Sequence, residues 1–116
     1  CKIKIVDIHA ESTAEKLALG FYLDGRATAV VGTHTHVQTA DEKILPGGTA
    51  YITDLGMTGP ELSVLGVRPE ASISWLKTGL PTRFEISDGV CMMCGVIIDA
   101  DEKTGKARSI ERVCVR

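Results

Sequence analysis

The stretch V-V-G-T-H-T-H, residues 30–36, is an apolar run that ends in two histidines separated by one residue. In an extended chain, residues two apart point to the same side, whereas on a helix they diverge by about 200°. His34 and His36 can therefore serve one site. Alternate residues of a strand stand roughly 6.6 Å apart, which suits two ions about 3.5–4 Å apart better than one ion. The stretch predicts a two-metal centre, with Gly32 allowing a close turn where the strand ends.

A third histidine strengthens this interpretation, because the chain contains only 3 and His9 ends another apolar run, residues 3–9. If the two runs are neighbouring parallel strands joined by a helix, His9 and His34 emerge together at their carboxyl ends, where open α/β sheets bind ligands. Asp7 and the nearby threonines are then candidates to orient the rings, although its position alone favours a structural role for Asp7. The alternative is a non-catalytic fold element whose three histidines are structural and do not meet.

Composition limits the function classes. The 116 residues are 44% hydrophobic and 24% charged, which is typical of one folded domain or part of one. A net charge of −2 and only 2 Phe, 2 Tyr and 1 Trp argue against stable nucleic-acid binding. No apolar run approaches the roughly 20 residues of a membrane span, and no leader pattern is visible, so we expect no membrane association and a cytoplasmic location.

The amino terminus indicates a partial domain. Cys1 and Lys2 lead straight into a predicted strand without an initiator Met, which suggests a chain cut from something longer; a processed chain is the alternative. Residues 1–116 are therefore predicted to form a single partial domain. Half a sheet leaves unpaired strand edges, which makes a homo-oligomer possible.

The cysteines offer a third hypothesis, a thiol-based module. Cys91 and Cys94 have C-x-x-C spacing, but residues 90–98 are predicted to form a strand. Residues three apart on a strand face opposite sides, so these two thiols cannot share an ion or form an easy disulfide. Cys1 and Cys114 are interpreted as small apolar residues in a reducing compartment.

The remaining pattern predicts a strand–helix–strand unit followed by hairpins. The helix opens near Ser12 or Thr13, which can cap it, and its sheet-facing side is predicted to be Ala14, Leu17, Ala18, Phe21 and Tyr22. Residues 53–60, rich in glycine, are interpreted as a connection. The other predicted elements are strands over residues 2–8, 27–32, 83–86, 90–98 and 109–115, two short strands within 44–52, and a helix over 69–77.

Four segments together resemble the YmdB-like bacterial metallophosphoesterases, within the calcineurin-like superfamily. They are D-I-H-A-E (7–11), the helix 15–26, V-G-T-H-T-H-V-Q-T-A-D (31–41) and T-A-Y-I-T-D-L-G-M-T-G-P (49–60). Residues 32–36 look like this group's form of the G-H-x-H block. The resemblance is to the carboxyl-terminal half of such a protein and weakens beyond Phe84.

The resemblance implies part of a four-layer αββα sandwich with a mixed sheet, and phosphodiesterase activity on a small cyclic nucleotide such as 2′,3′-cyclic AMP. It implies two divalent metal ions, Mn, Fe or Zn, with His9 and His34 on one ion and His36 on the other. The family's other ligands, and the histidine that acts as general acid, belong to the amino-terminal half. This chain would thus supply three metal ligands and no catalytic acid. It would have little or no activity alone.

Overall fold

The computed structural model describes all of residues 1–116. Its elements in chain order are β1 (Ile5–His9), α1 (Thr13–Leu23), β2 (Ala29–Thr33), β3 (Lys43–Ile44), β4 (Ala50–Ile52), β5 (Thr58–Pro60), α2 (Pro69–Thr78), β6 (Cys91–Ala100) and β7 (Ala107–Val115). The strands form a four-stranded sheet of order β1-β2-β4-β3 and a three-stranded sheet of order β5-β6-β7. This is a mixed α/β architecture, as the sequence predicts.

The strand–helix–strand unit is confirmed, and it sets the position of the histidines. The side chain of Ser12 caps α1 by accepting a hydrogen bond from the backbone N–H of Glu15, at 3.3 Å. β1 and β2 are parallel and in a register that places His9 opposite Thr33. Because both strands end at these residues, His9 and the loop after β2 lie at the same carboxyl edge of the sheet.

Each face of the four-stranded sheet carries its own core. The alternation of side chains along β2 and β4 directs one set toward the three-stranded sheet and the other toward α1. The first cluster consists of Ala29, Val31, Ala50, Ile52 and Ala107, with Val96, Ile98 and Ile110 of the hairpin packed against it. The second consists of Ala27, Val30, Leu45 and Tyr51, with Leu17 and Leu23 of α1 against it. The described chain is therefore three layers deep: helix, sheet, sheet.

The buried stripe of the helix agrees with the predicted one at Leu17 and differs from it elsewhere. Phe21 and Tyr22 are 58% and 68% exposed, whereas Lys16 and Gly20 are buried. A Cβ at Gly20 would lie 2.6 Å from the ring of Tyr51, so the missing side chain is what lets the helix approach β4. The apolar periodicity of the sequence does not predict this packing, because the buried helix residues are a glycine and a lysine.

Three other predictions need correction. Residues 2–4 lie outside β1, which begins at Ile5. Residues 83–86 form no strand, and only Ile86 makes an isolated bridge, with Val67. The glycine-rich segment interpreted as a connection contains β5, which pairs antiparallel with β6. Neither helix, at 11 and 10 residues, is long and apolar enough to span a membrane.

Candidate metal centre

His9 is the last residue of β1, and a relay of hydrogen bonds orients its ring. The hydroxyl of Thr33 donates to Asp7 Oδ1 at 3.2 Å and lies 3.1 Å from His9 Nδ1. Since the single hydroxyl hydrogen goes to the carboxylate, Nδ1 of His9 must carry the hydrogen that joins it to Thr33. Nε2 is left with a free lone pair. Asp7 is thus the indirect partner of a histidine, one of its two predicted roles.

His34 follows β2 and meets His9 directly. Its Nδ1 lies 3.3 Å from His9 Nε2, and the two rings stand edge to face with centroids 5.2 Å apart and planes at 75°. Two imidazole nitrogens bound to one ion at about 2.0–2.1 Å, in tetrahedral geometry, would be separated by roughly 3.3–3.4 Å. The distance between the two nitrogens is therefore the one that two histidine ligands of a single divalent ion would have.

His36 lies on the same loop but outside this pair. Its Nδ1 donates to the backbone carbonyl of Leu65 at 3.0 Å, which leaves its Nε2 free as a ligand nitrogen. No three side chains among the histidines, cysteines and acids of this chain lie close enough together to hold one ion. The structure brings His9 and His34 together, and a separate ion at His36 stays a prediction.

The backbone of this loop is unusual at both histidines. His34 has φ 144° and His36 has φ 62°, in the positive region that non-glycine residues rarely adopt. Such conformations persist only where the surroundings impose them, and they are concentrated at functional sites. The strained backbone therefore makes residues 34–36 a candidate functional site.

Asp54, just after β4, is the buried acid nearest to this loop, and the sequence did not single it out. Its Oδ2 accepts a hydrogen bond from the backbone N–H of Thr35 at 2.8 Å, and its Oδ1 accepts one from Gly56 at 2.9 Å. Burial raises the pKa of Asp54, but these backbone donors and Lys16 outweigh it, so the pKa lies below its usual value. A charged residue directly after a fully buried strand is the signal that could have identified it.

Three hollows lie on the surface: a shallow one beside Trp75 and Leu76, and two at opposite ends of the chain's parallel strands. The one beside His36, about 300 Å³, is lined mainly by the apolar residues Met57, Pro60, Leu65, Val67 and Ile86. The larger one, about 680 Å³, lies at the amino ends of the strands among Lys2, Lys4, Arg26, Lys103 and Lys106. Only the first of these two adjoins the histidines.

The thiols do not form the module considered as a third hypothesis. Cys91 and Cys94 lie on one strand and face opposite sides, as predicted, and the sulfur of Cys94 instead lies 3.7 Å from that of Cys114 across the hairpin. Burial raises the pKa of Cys94, and its neighbour Cys114 raises it further. A raised pKa disfavours the reactive thiolate.

Comparison with known proteins shows that the family resemblance continues past Phe84, where the sequence suggests that it weakens. Residues 1–113 match the family described as YmdB-like protein. The chain is 60% identical over 110 residues to a 2′,3′-cyclic-nucleotide 2′-phosphodiesterase of Bacillus subtilis, covering 95% of this chain and 42% of that protein.

Two crystal structures have the same fold. A hypothetical protein from Thermus thermophilus superposes with a TM-score of 0.92 at 40% identity, over 98% of this chain and 44% of that one. A novel phosphatase from Mycoplasma pneumoniae superposes with a TM-score of 0.93 at 44% identity, over 99% of this chain and 41% of that one. The chain thus spans less than half the length of each of these relatives.

Proposed function

Because the chain belongs to the YmdB-like family, we propose that it is the carboxyl-terminal part of a metal-dependent phosphodiesterase that hydrolyses small cyclic nucleotides of the 2′,3′-cyclic AMP type. The observation that carries this proposal is the 3.3 Å separation of His9 Nε2 and His34 Nδ1, with His9 oriented by Thr33 and Asp7. The name of the Bacillus subtilis relative supports the substrate class. A cytoplasmic location and a homo-oligomer remain predictions.

In this proposal His9 and His34 hold one divalent ion and His36 holds the other. Neutral imidazoles suit Fe or Zn, and carboxylate ligands from the rest of the protein would suit Mn. The two ions, when bound, activate the attacking water and stabilise the charge that grows on the phosphoryl group. The residues of this chain fix where the ions sit, because Asp7 and Thr33 orient one ring and the carbonyl of Leu65 orients another. The general acid and the remaining ligands come from the rest of the protein.

We also propose that residues 1–116 are a partial domain of a four-layer αββα sandwich. The radius of gyration, 16.9 Å, exceeds the roughly 13 Å expected for a compact domain of this length. The outer face of the three-stranded sheet exposes Met93, Ile97 and Val115, at 51%, 61% and 55%. A fourth, helical layer would cover this apolar face.

The proposal is tested by counting metal ions in the full-length protein and measuring hydrolysis of 2′,3′-cyclic AMP. We expect two ions per wild-type chain, loss of one with His9→Ala or His34→Ala, and loss of the other with His36→Ala. Each variant should lose at least about 100-fold in rate, because each removes a direct ligand. Thr82→Ala, in an exposed loop, is the control and should keep both ions and full rate.

Two outcomes would contradict the proposal. Full-rate hydrolysis by His36→Ala would show that this residue is not a ligand. Unchanged metal content and rate in both His9→Ala and His34→Ala would favour the alternative, in which their contact is only a structural hydrogen bond.

A further inference from the structure

Lys16 and Asp54 form an ion pair in the interior of the protein that the proposed chemistry does not use. Lys16 Nζ lies 3.2 Å from Asp54 Oδ2, and each side chain is only 1% exposed. Removing two charges from water costs several kcal/mol per ion, and their attraction seldom returns more than that. Overall stability therefore gives no sufficient reason for this pair to be here.

The geometry of the pair connects it to the histidine loop. Lys16 projects from α1 beneath the end of β2, where a Cβ on Gly32 would lie 2.9 Å from Lys16 Cδ. It ends at the same Asp54 oxygen that accepts the backbone N–H of Thr35, the residue between His34 and His36. The lysine, the carboxylate and the centre of the loop thus form one continuous chain of contacts.

The loop needs such an anchor because its own conformation is unfavourable. Positive φ at two successive histidine positions, 34 and 36, costs free energy that the surroundings must supply. A hydrogen bond to an ionised acceptor is among the stronger ones that a protein offers, and it strengthens where water is excluded. Asp54 provides such a hydrogen bond to Thr35, the residue between the two histidines.

We infer that Asp54 and Lys16 are positioning residues: Asp54 holds the Thr35 N–H so that the ligand nitrogens of His34 and His36 are correctly placed, and Lys16 holds the Asp54 carboxylate. This inference rests on the proposed metal-binding function of the loop. Neither residue touches an ion or the substrate in this role.

The test compares Asp54→Ala with Asp24→Ala in the full-length protein. Asp24 is a matched control because it also accepts two backbone N–H groups, from Gly47 and Thr49, but lies at the far end of α1. Alanine is chosen because an asparagine could keep its one acceptor oxygen toward Thr35 and Lys16 and lose only the bond to Gly56. The two variants remove the same charge and the same kind of bond, in different places.

Two quantities are measured, one with metal and one without. In the metal-free protein, we expect hydrogen exchange at the Thr35 amide to accelerate about 10- to 100-fold in Asp54→Ala and to stay unchanged in Asp24→Ala. Metal affinity should fall by about 10- to 100-fold in Asp54→Ala only. Equal effects of the two variants on metal affinity, or an unchanged Thr35 amide, would overturn the inference.

Lys16→Met provides a second variant should Asp54→Ala fail to fold, because it keeps the alkyl stem beneath Gly32 and removes only the charge. We expect it to weaken metal binding in the same direction, and the double variant to be no worse than Asp54→Ala, because both residues act through one contact. Additive losses would show that Lys16 does not act through Asp54. If the wild-type protein binds no metal, the proposed function fails, while exchange at Thr35 still decides whether Asp54 anchors the loop.

Discussion

The two sheets of this chain differ in how fully they are buried. In the four-stranded sheet, the central strands β2 and β4 are short and covered on both faces, and Ala29, Val30 and all three residues of β4 have no exposed surface. In the three-stranded sheet, β6 and β7 are 10 and 9 residues long but covered on one face only, and Ile97 is 61% exposed. The histidines stand at the edge of the first sheet and not the second.

The difference in burial between the two sheets indicates where a precisely positioned site can form. A strand packed on both faces cannot shift without disturbing two cores, so the residue at its end has a fixed position. The long hairpin supplies the wall that closes one of those cores, through Val96, Ile98 and Ile110. We conclude that the buried sheet positions His9 and His34 and that the hairpin supports that sheet.

The largest expected effect comes from adding one methyl group to the end of β2. A Cβ at Gly32 would lie 1.8 Å from the carbonyl oxygen of Thr53, on the neighbouring segment, so Gly32→Ala must push β2 and that segment apart. We expect a loss of about 4 kcal/mol or more in the free energy of unfolding, measured by urea denaturation of the full-length protein.

The matched control is Gly59→Ala in the other sheet, where the nearest atom to an added Cβ is the sulfur of Met57 at 3.7 Å, an ordinary contact. This variant should change stability by less than about 1 kcal/mol. If Gly32→Ala lowers the unfolding free energy no more than the control does, β2 and the segment that contains Thr53 can move apart at little cost.

The next comparison truncates an isoleucine in each sheet. Ile52 is fully buried between the two sheets, so Ile52→Ala should cost about 3 kcal/mol in unfolding free energy. Ile97 lies on the outer face of the hairpin, and its cost depends on the proposed fourth layer. If that layer is present in the full-length protein, Ile97→Ala should cost about 2 kcal/mol. A cost below about 0.5 kcal/mol would mean that this face is open to water.

The smallest effect concerns the turn of the hairpin and depends on pH. Backbone N–H donation by Thr104, a hydrogen bond from Arg108 and the N–H of Lys103 lower the pKa of Asp101 from 3.8 to about 2. A carboxylate with a depressed folded-state pKa stabilises the fold above about pH 4, and this contribution disappears as the pH falls toward 2.

Asp101→Asn should therefore weaken the dependence of the urea midpoint on pH between about 4 and 2, while Asp99→Asn, which loses only a 3.5 Å contact with Arg108, should not. Carbon-13 NMR of the carboxyl group should show Asp101 titrating with a pKa of about 2 in the wild-type protein. Titration near the ordinary value of 3.8 would mean that the turn is not held by this side chain.

Much of the fold could be predicted because it depends on local periodicity. The apolar runs before His9 and His34, and the cap at Ser12, identify β1, α1 and β2 from residues close in sequence. The predictions failed where contacts between distant segments decide the outcome. Thr58–Pro60 becomes a strand only because β6 lies beside it, and Phe21 stays exposed because Gly20 packs on Tyr51.

The same division applies to the candidate site. The sequence alone predicts that His9 and His34 lie at one carboxyl edge of a sheet, since a strand–helix–strand unit makes the two strands that precede them parallel. Only the tertiary structure decided that their nitrogens lie 3.3 Å apart, that His36 turns to Leu65, and that Lys16 reaches Asp54, 38 residues away, beneath the loop. The physical reason is that hydrogen bonds and ion pairs require contact in space, and the spacing of residues along a chain specifies contact only within a turn or between adjacent strands.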